Sequence, residues 1–172
     1  MAAAALFNQY EQAFESWLID NRLRYTAVDQ QKRRIFAQSR IKSFDFLLYP
    51  VDSPPLIVEV KGRTFKGKSL CDMHGLDCWV TMEDVSGLIR WERIWGCGIK
   101  ALFIFAYRFE KIDVETDGIQ VYDFMGDRYV FYVVRLDDYR TFMTVRSPKW
   151  RTITLPAAKF REFAVPANQL LL

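Results

Sequence analysis

The stretch PPLIVEVKGR, residues 54–63, constrains the fold more than any other part of the chain. Two prolines, which cannot donate to a sheet ladder, close off what precedes it. An aliphatic run then gives way to Glu59 and Lys61 just before Gly62. Side chains of a strand alternate between faces, so Leu56, Val58 and Val60 point one way and Ile57, Glu59 and Lys61 the other. The pattern predicts an interior strand with a carboxylate and an ammonium as neighbours on one face.

The segments around it assemble into a mixed architecture. Leu6, Phe7, Tyr10, Phe14, Trp17 and Leu18 recur at helical spacing, which predicts a helix over residues 3–20. RYTAVDQ at 24–30 reads as a strand, and the basic segment QKRRIFAQSRIK leads into a second strand, SFDFLLY. PVDSPP then turns the chain into LIVEVK, and a polar loop fills about 62–80. Thr81 and Asp84 match a capping box that opens a second helix ending at Gly96. KALFIFAYRF, IQVYDFMG and RYVFYVVRL follow as strands, the last two as a hairpin or meander, and the tail mixes a short strand with a helical piece. The order implies an α/β or α+β sandwich around a mixed sheet, and 172 residues suit a single domain spanning 1–172.

Composition narrows the classes of function. With 51% hydrophobic and 26% charged residues the chain is that of a folded protein, and its net charge of +3 permits a nucleic-acid partner without demanding one. ALFIFAY, the most apolar run, is far shorter than the roughly 20 residues of a membrane span. The start lacks a basic secretory leader, so the expected setting is the cytoplasm, with Cys71, Cys78 and Cys97 as reduced thiols. Cys71, His74 and Cys78 fall short of the four ligands of a structural zinc site. No phosphate-cradling G-x-x-x-x-G-K-[ST] is present.

Alternation in SFDFLLY puts Asp45 on a face with Leu47 and Tyr49, and two adjacent strands would bring it beside Glu59. Two carboxylates on one patch repel unless a cation lies between them, which suits a hard divalent metal such as Mg²⁺. An adjacent Lys61 amine could orient a water or neutralise a phosphate oxygen. The bland alternative is a solvated pair of charges at a strand end.

FDF followed by EVKG resembles the signature of the PD-(D/E)XK nuclease superfamily, although Phe44 stands where that signature has proline. YEQAFESWLIDNRLRYTAV looks like the first helix and following strand of its archaeal Holliday-junction-resolvase-like members, in which a helical glutamate completes the metal site. The resemblance implies a restriction-endonuclease-like core with a four-stranded mixed sheet flanked by helices. It further implies Mg²⁺- or Mn²⁺-dependent hydrolysis of DNA phosphodiesters, with Asp45, Glu59, the Val60 carbonyl and Glu11 at the metal and Lys61 acting on the water. Glu15 is the fallback for Glu11. A homodimer would supply the two sites needed to cut both strands. The rival reading is the same fold without activity, binding nucleic acid or protein.

Glu92 falls inside the apolar arc of the second helix, so it either pairs with an arginine or reaches the metal shell or Lys61. Lys32, Arg33, Arg34, Arg40 and Lys42 before the signature, and Arg63, Lys66 and Lys68 after it, could neutralise DNA phosphates or form solvated faces. Arg146, Lys149 and Arg151 form a third basic group around Trp150, which either stacks on a base or packs.

Overall fold

A computed structural model describes residues 8–28, 42–96 and 98–172. In chain order the elements are α1 (Gln9–Asp20), β1 (Tyr25–Ala27), β2 (Phe46–Leu48), β3 (Leu56–Phe65), β4 (Val80–Thr81), α2 (Met82–Trp95), β5 (Lys100–Phe109), β6 (Tyr122–Phe124), β7 (Asp127–Arg135), α3 (Leu136–Phe142), β8 (Thr144–Ser147), β9 (Thr152–Thr154), α4 (Ala157–Phe163), β10 (Val165–Pro166) and α5 (Ala167–Leu171). The main sheet has seven strands in the order β1-β2-β3-β5-β7-β10, with β6 paired to β7, and is thus wider than the four strands expected. A second, three-stranded sheet runs β4-β9-β8.

The sheet is mixed because β3 and β5 are parallel, joined through α2, while β2 pairs with β3 and β7 with β5 antiparallel. Alternation along these strands builds two cores. Val58, Val60, Leu102, Ile104, Phe131 and Val133 pack under α1, whose Ala13, Phe14, Trp17 and Leu18 are buried there. Ile57, Phe103, Phe105, Tyr132 and Val134 face the opposite way, against Val85, Leu88 and Trp91 of α2 and Tyr139 of α3. β5 is sealed on both faces, which explains its unbroken apolar sequence.

Three differences from the sequence reading have physical reasons. β3 continues past Lys61 to Phe65, because its full parallel register with β5 outweighs the weak strand preference of Gly62 and Arg63. α3 is only seven residues long, too short for a periodic signal. The tail supplies β8 and β9 to the second sheet and places β10 against β7. The predicted start of this helix, residues 3–7, lies outside the described residues; within them Asn8 caps α1, its side chain accepting from the N–H groups of Tyr10 and Glu11.

Candidate nuclease site

Glu59 and Lys61 leave β3 on the face that carries Ile57 and Phe65, the α2 side of the sheet. The register pairing Phe46 with Val58, continued by one residue, sets Asp45 opposite Glu59. The ladder is distorted there. The Asp45 N–H reaches the Val58 carbonyl at 2.9 Å, and its own Oδ2 accepts from the Val60 N–H at 2.7 Å. A carboxylate thus stands where a backbone acceptor would be, which locks Asp45 to the strand between Glu59 and Lys61. The N–H and C=O of one strand residue leave by the same edge, so the Val60 carbonyl points to the side where Asp45 lies.

The Lys61 amine sits 2.8 Å from Glu59 Oε1 and 3.0 Å from Asp84 Oδ1. Asp84 is the residue that sequence reasoning missed as part of the site. Its capping-box role was legible, and it is present: Asp84 Oδ2 accepts from the Thr81 N–H at 2.9 Å, and Thr81 Oγ1 from the Asp84 N–H at 3.1 Å. What the capping motif could not convey is that the other oxygen faces across to β3, where it pairs with Lys61 and also with Lys42.

Lys42 was expected on the DNA-facing surface, and the structure places its amine on the acids instead. The Lys42 amine pairs with Asp84 and lies 3.7 Å from Glu59 Oε1. Gly87 permits this approach, since a Cβ there would lie 3.1 Å from Lys42 Cβ. The Trp91 indole N–H donates to the Lys42 carbonyl at 2.7 Å and fixes the segment. Although 41% of the Lys42 side chain is exposed, its amine faces a carboxylate that is almost wholly covered. Loss of water there pulls the Lys42 ammonium below its ordinary pKa; Glu59 and Asp45 oppose that shift and Lys61 adds to it. Asp45, Glu59 and Lys61 therefore all act on one amine.

Glu11 is buried at the first turn of α1, where Asn8 Nδ2 donates to its Oε1 at 3.1 Å. The helix approaches β3 closely because Gly62 has no side chain: a Cβ there would lie 2.2 Å from the Tyr10 ring. Three acids were expected to gather around one ion, and among the described residues no group of three Asp, Glu, His or Cys side chains does so. Glu15 is turned to β1, accepting from the Tyr25 hydroxyl at 2.9 Å. Burial of the Tyr25 hydroxyl, with the hydrogen bond to Glu15 and its charge adding, pushes the Tyr25 pKa up to about 12.

Other expectations are corrected in the same way. Among the described residues Glu92 meets neither Lys61 nor an arginine; its Oε1 accepts from the Ala101 N–H at 2.7 Å and anchors the start of β5. Arg63 is structural. It donates to the carbonyls of Gly62 and Trp79 and stacks 3.9 Å from the centre of the Trp79 ring, and burial pulls its pKa down. Lys66, Lys68 and Lys149 are exposed. Lys32, Arg33, Arg34, Arg40 and Cys97 lie outside the described residues. Cys78 is buried with its pKa raised by that burial, while Cys71 is exposed.

A mixed sheet flanked by helices, with an acid ahead of an E-x-K strand, is the arrangement that the resemblance noted in the sequence implies. Among solved structures the chain is similar to Hjc, a Holliday junction resolvase from the archaeal hyperthermophile Archaeoglobus fulgidus, with a TM-score of 0.52 and 11% identity over 95% of this chain and 98% of that one. The likeness of fold extends well beyond residue 107, to which the motifs alone reached. No family profile and no curated protein matches the sequence.

Proposed function

We propose that the protein is a metal-dependent endonuclease that hydrolyses DNA phosphodiester bonds, with residues 1–172 as one catalytic domain. The observation that carries this reading is the Lys61 amine, held 2.8 Å from Glu59 on the strand residue next to the one that Asp45 grips. The carboxylates of Asp45 and Glu59 and the Val60 carbonyl are all hard oxygen donors, a set suited to Mg²⁺ or Mn²⁺. Such an ion, when bound, would draw charge from the phosphate and acidify a water. Lys61 orients the attacking water or meets the developing charge on a phosphate oxygen. Asp84 fixes Lys61 and Glu11 supports the site from α1. Lys66, Lys68 and Lys149, with Lys32, Arg33, Arg34 and Arg40, hold the backbone phosphates.

Among the described residues no helix is long and apolar enough to cross a membrane. Action on cytoplasmic DNA, as a homodimer where both strands are cut, is part of the proposal. The test is incubation of end-labelled four-way junction, flap and plain duplex with Mg²⁺ or Mn²⁺. Lys61→Met should lower the cutting rate by about a hundredfold or more, and equal cutting by Lys61→Met and wild type would overturn the reading.

One observation favours a second reading. Both lysine amines already lie against Glu59, and among the described residues no group of three Asp, Glu, His or Cys side chains is arranged to hold a metal ion. A nuclease fold that binds nucleic acid or protein without cutting predicts no heat of Mn²⁺ binding in calorimetry. The endonuclease predicts binding that Asp45→Ala abolishes.

A further inference from the structure

The second sheet carries the basic and aromatic group that the site itself does not use. Its β8–β9 turn, residues 147–151, exposes Pro148, Lys149, Trp150 and Arg151 together. Trp150 is 70% exposed, the most exposed aromatic side chain among the described residues. An indole exposed at a loop tip offers a flat apolar face on which a planar ligand can stack. The turn is built rather than loose. The Arg151 N–H donates to the Pro148 carbonyl at 3.2 Å, and Arg151 holds a left-handed φ of 49° although it is not glycine.

Lys149, Arg146 and Arg151 are the cations in and beside the turn. The Lys149 amine lies 5.3 Å from the Trp150 ring centre, and the Arg146 guanidinium lies 5.2 Å from that of Trp79. Arg151 is paired at 3.2 Å with Glu83. That last contact also ties the turn to the site. The Met82 N–H donates to the Arg151 carbonyl at 2.9 Å, and β9 pairs with β4, so the turn is fastened to the first residues of α2. The next residue after Glu83 is Asp84, whose Oδ1 holds Lys61 at 3.0 Å.

We infer that the β8–β9 turn is a reading element for unpaired bases: Trp150 stacks on a base displaced from the duplex while Lys149 and Arg146 meet the flanking phosphates. The substrate class is DNA that carries single-stranded nucleotides beside the cut, as at a branch, flap or gap. A flat ring beside cations suits any base, because stacking is tolerant of sequence, and it gains little from a fully paired helix whose bases are already stacked. The inference rests on the reading that DNA is the substrate, and its main test measures binding without cutting.

Binding of a fluorescent single strand, a duplex with a single-stranded overhang and a blunt duplex is measured by anisotropy in EDTA over a range of salt. Wild type should prefer the first two. Trp150→Ala should weaken them by about tenfold while leaving the blunt duplex nearly unchanged, and Trp150→Phe should keep most of the affinity. Lys149→Ala should instead flatten the slope of log K against log salt by about 0.7 on the single strand, with Trp150→Ala parallel to wild type. Equal losses on all three DNAs, no loss on any, or no single-strand binding by wild type overturns the inference. So does a change in sedimentation of Trp150→Ala at unchanged DNA affinity, which would make the tip a protein contact. Cutting that depends on Lys61 but not on Trp150 would refute this inference alone. Trp150-dependent binding by a protein that never cuts would support it and refute the nuclease.

Discussion

Asp84 offers the sharpest perturbation, because its two oxygens do separable work. Asp84→Asn keeps a carbonyl oxygen for the Thr81 N–H at 2.9 Å and removes only the charge. Lys61 then loses the partner at 3.0 Å but keeps Glu59 at 2.8 Å. The Lys42 pair is partly open to solvent screening, because 41% of that side chain is exposed even though its amine lies against a covered carboxylate. The Lys61 side chain is 16% exposed and that of Asp84 1%, so their pair is poorly screened. Losing one of two anchors should cost about 1–2 kcal/mol, below the ~3–5 kcal/mol of a buried charge left wholly unpaired. Asp84→Ala also strips the cap acceptor, worth ~1 kcal/mol, for about 2–3 kcal/mol in all. At roughly 2–4 °C per kcal/mol for a chain of this size, Asp84→Ala should melt about 4–12 °C below wild type and Asp84→Asn at an intermediate temperature. Thr81→Ala, which removes the other half of the box, should cost ~1 kcal/mol and leave Lys61 in place. Thermal and urea unfolding followed by circular dichroism measure all three. If Asp84→Asn is as stable as wild type or more so, repulsion among Glu59, Asp84 and Asp45 outweighs their pairing with the amines, and the account of the site is wrong.

Three further expectations concern the frame. Gly62→Ala should lose about 1–3 kcal/mol, because its Cβ would lie 2.2 Å from the Tyr10 ring, and pairing it with Tyr10→Ala should recover part of that loss in a double-mutant cycle. Arg63→Ala should lower the melting temperature, with its stack on Trp79 gone, whereas Lys66→Ala and Lys68→Ala should weaken DNA binding without moving it. Burial raises Tyr25 and Tyr129 to about 12 in the folded protein, against about 10 in an unfolded chain. Their contribution to stability is complete below about pH 10 and is lost as pH rises toward 12, the unfolded state releasing its protons first. Tyrosinate absorbance of native and urea-unfolded protein, read side by side between those values, should show the native curve displaced upward; coincident curves would refute it.

How much of this was legible in the sequence depended on whether a residue's neighbour came from its own element. Alternation put Glu59 and Lys61 on one face, and the expectation that the two strands are adjacent brought Asp45 beside Glu59. The Thr81–Asp84 box was equally plain, since a cap involves four successive residues. Asp84 as a partner of Lys61 was not, because that contact exists only once α2 packs back on the sheet. Glu92 points inward as the helical wheel requires, yet its partner is a backbone N–H on the following strand, which no side-chain pattern encodes. Arg63 looked like a surface cation two residues past Lys61, but the segment carrying Trp79 covers that part of β3 and takes the guanidinium for itself. Lys42 misled for the opposite reason. In a run of basic residues its charge suggested a surface, while Gly87 and Trp91 on α2 draw it to the acids.

The central claim is that Asp45, Glu59 and the Val60 carbonyl can share one divalent ion, and a crystal grown with Mn²⁺ tests it most directly through anomalous scattering. The account predicts a single ion at about 2.1 Å from oxygens of all three groups, with the Lys42 amine drawn off Glu59 and Lys61 still on Asp84. An anomalous map empty at this position under saturating Mn²⁺, with the Lys42 amine still on Glu59, would contradict it.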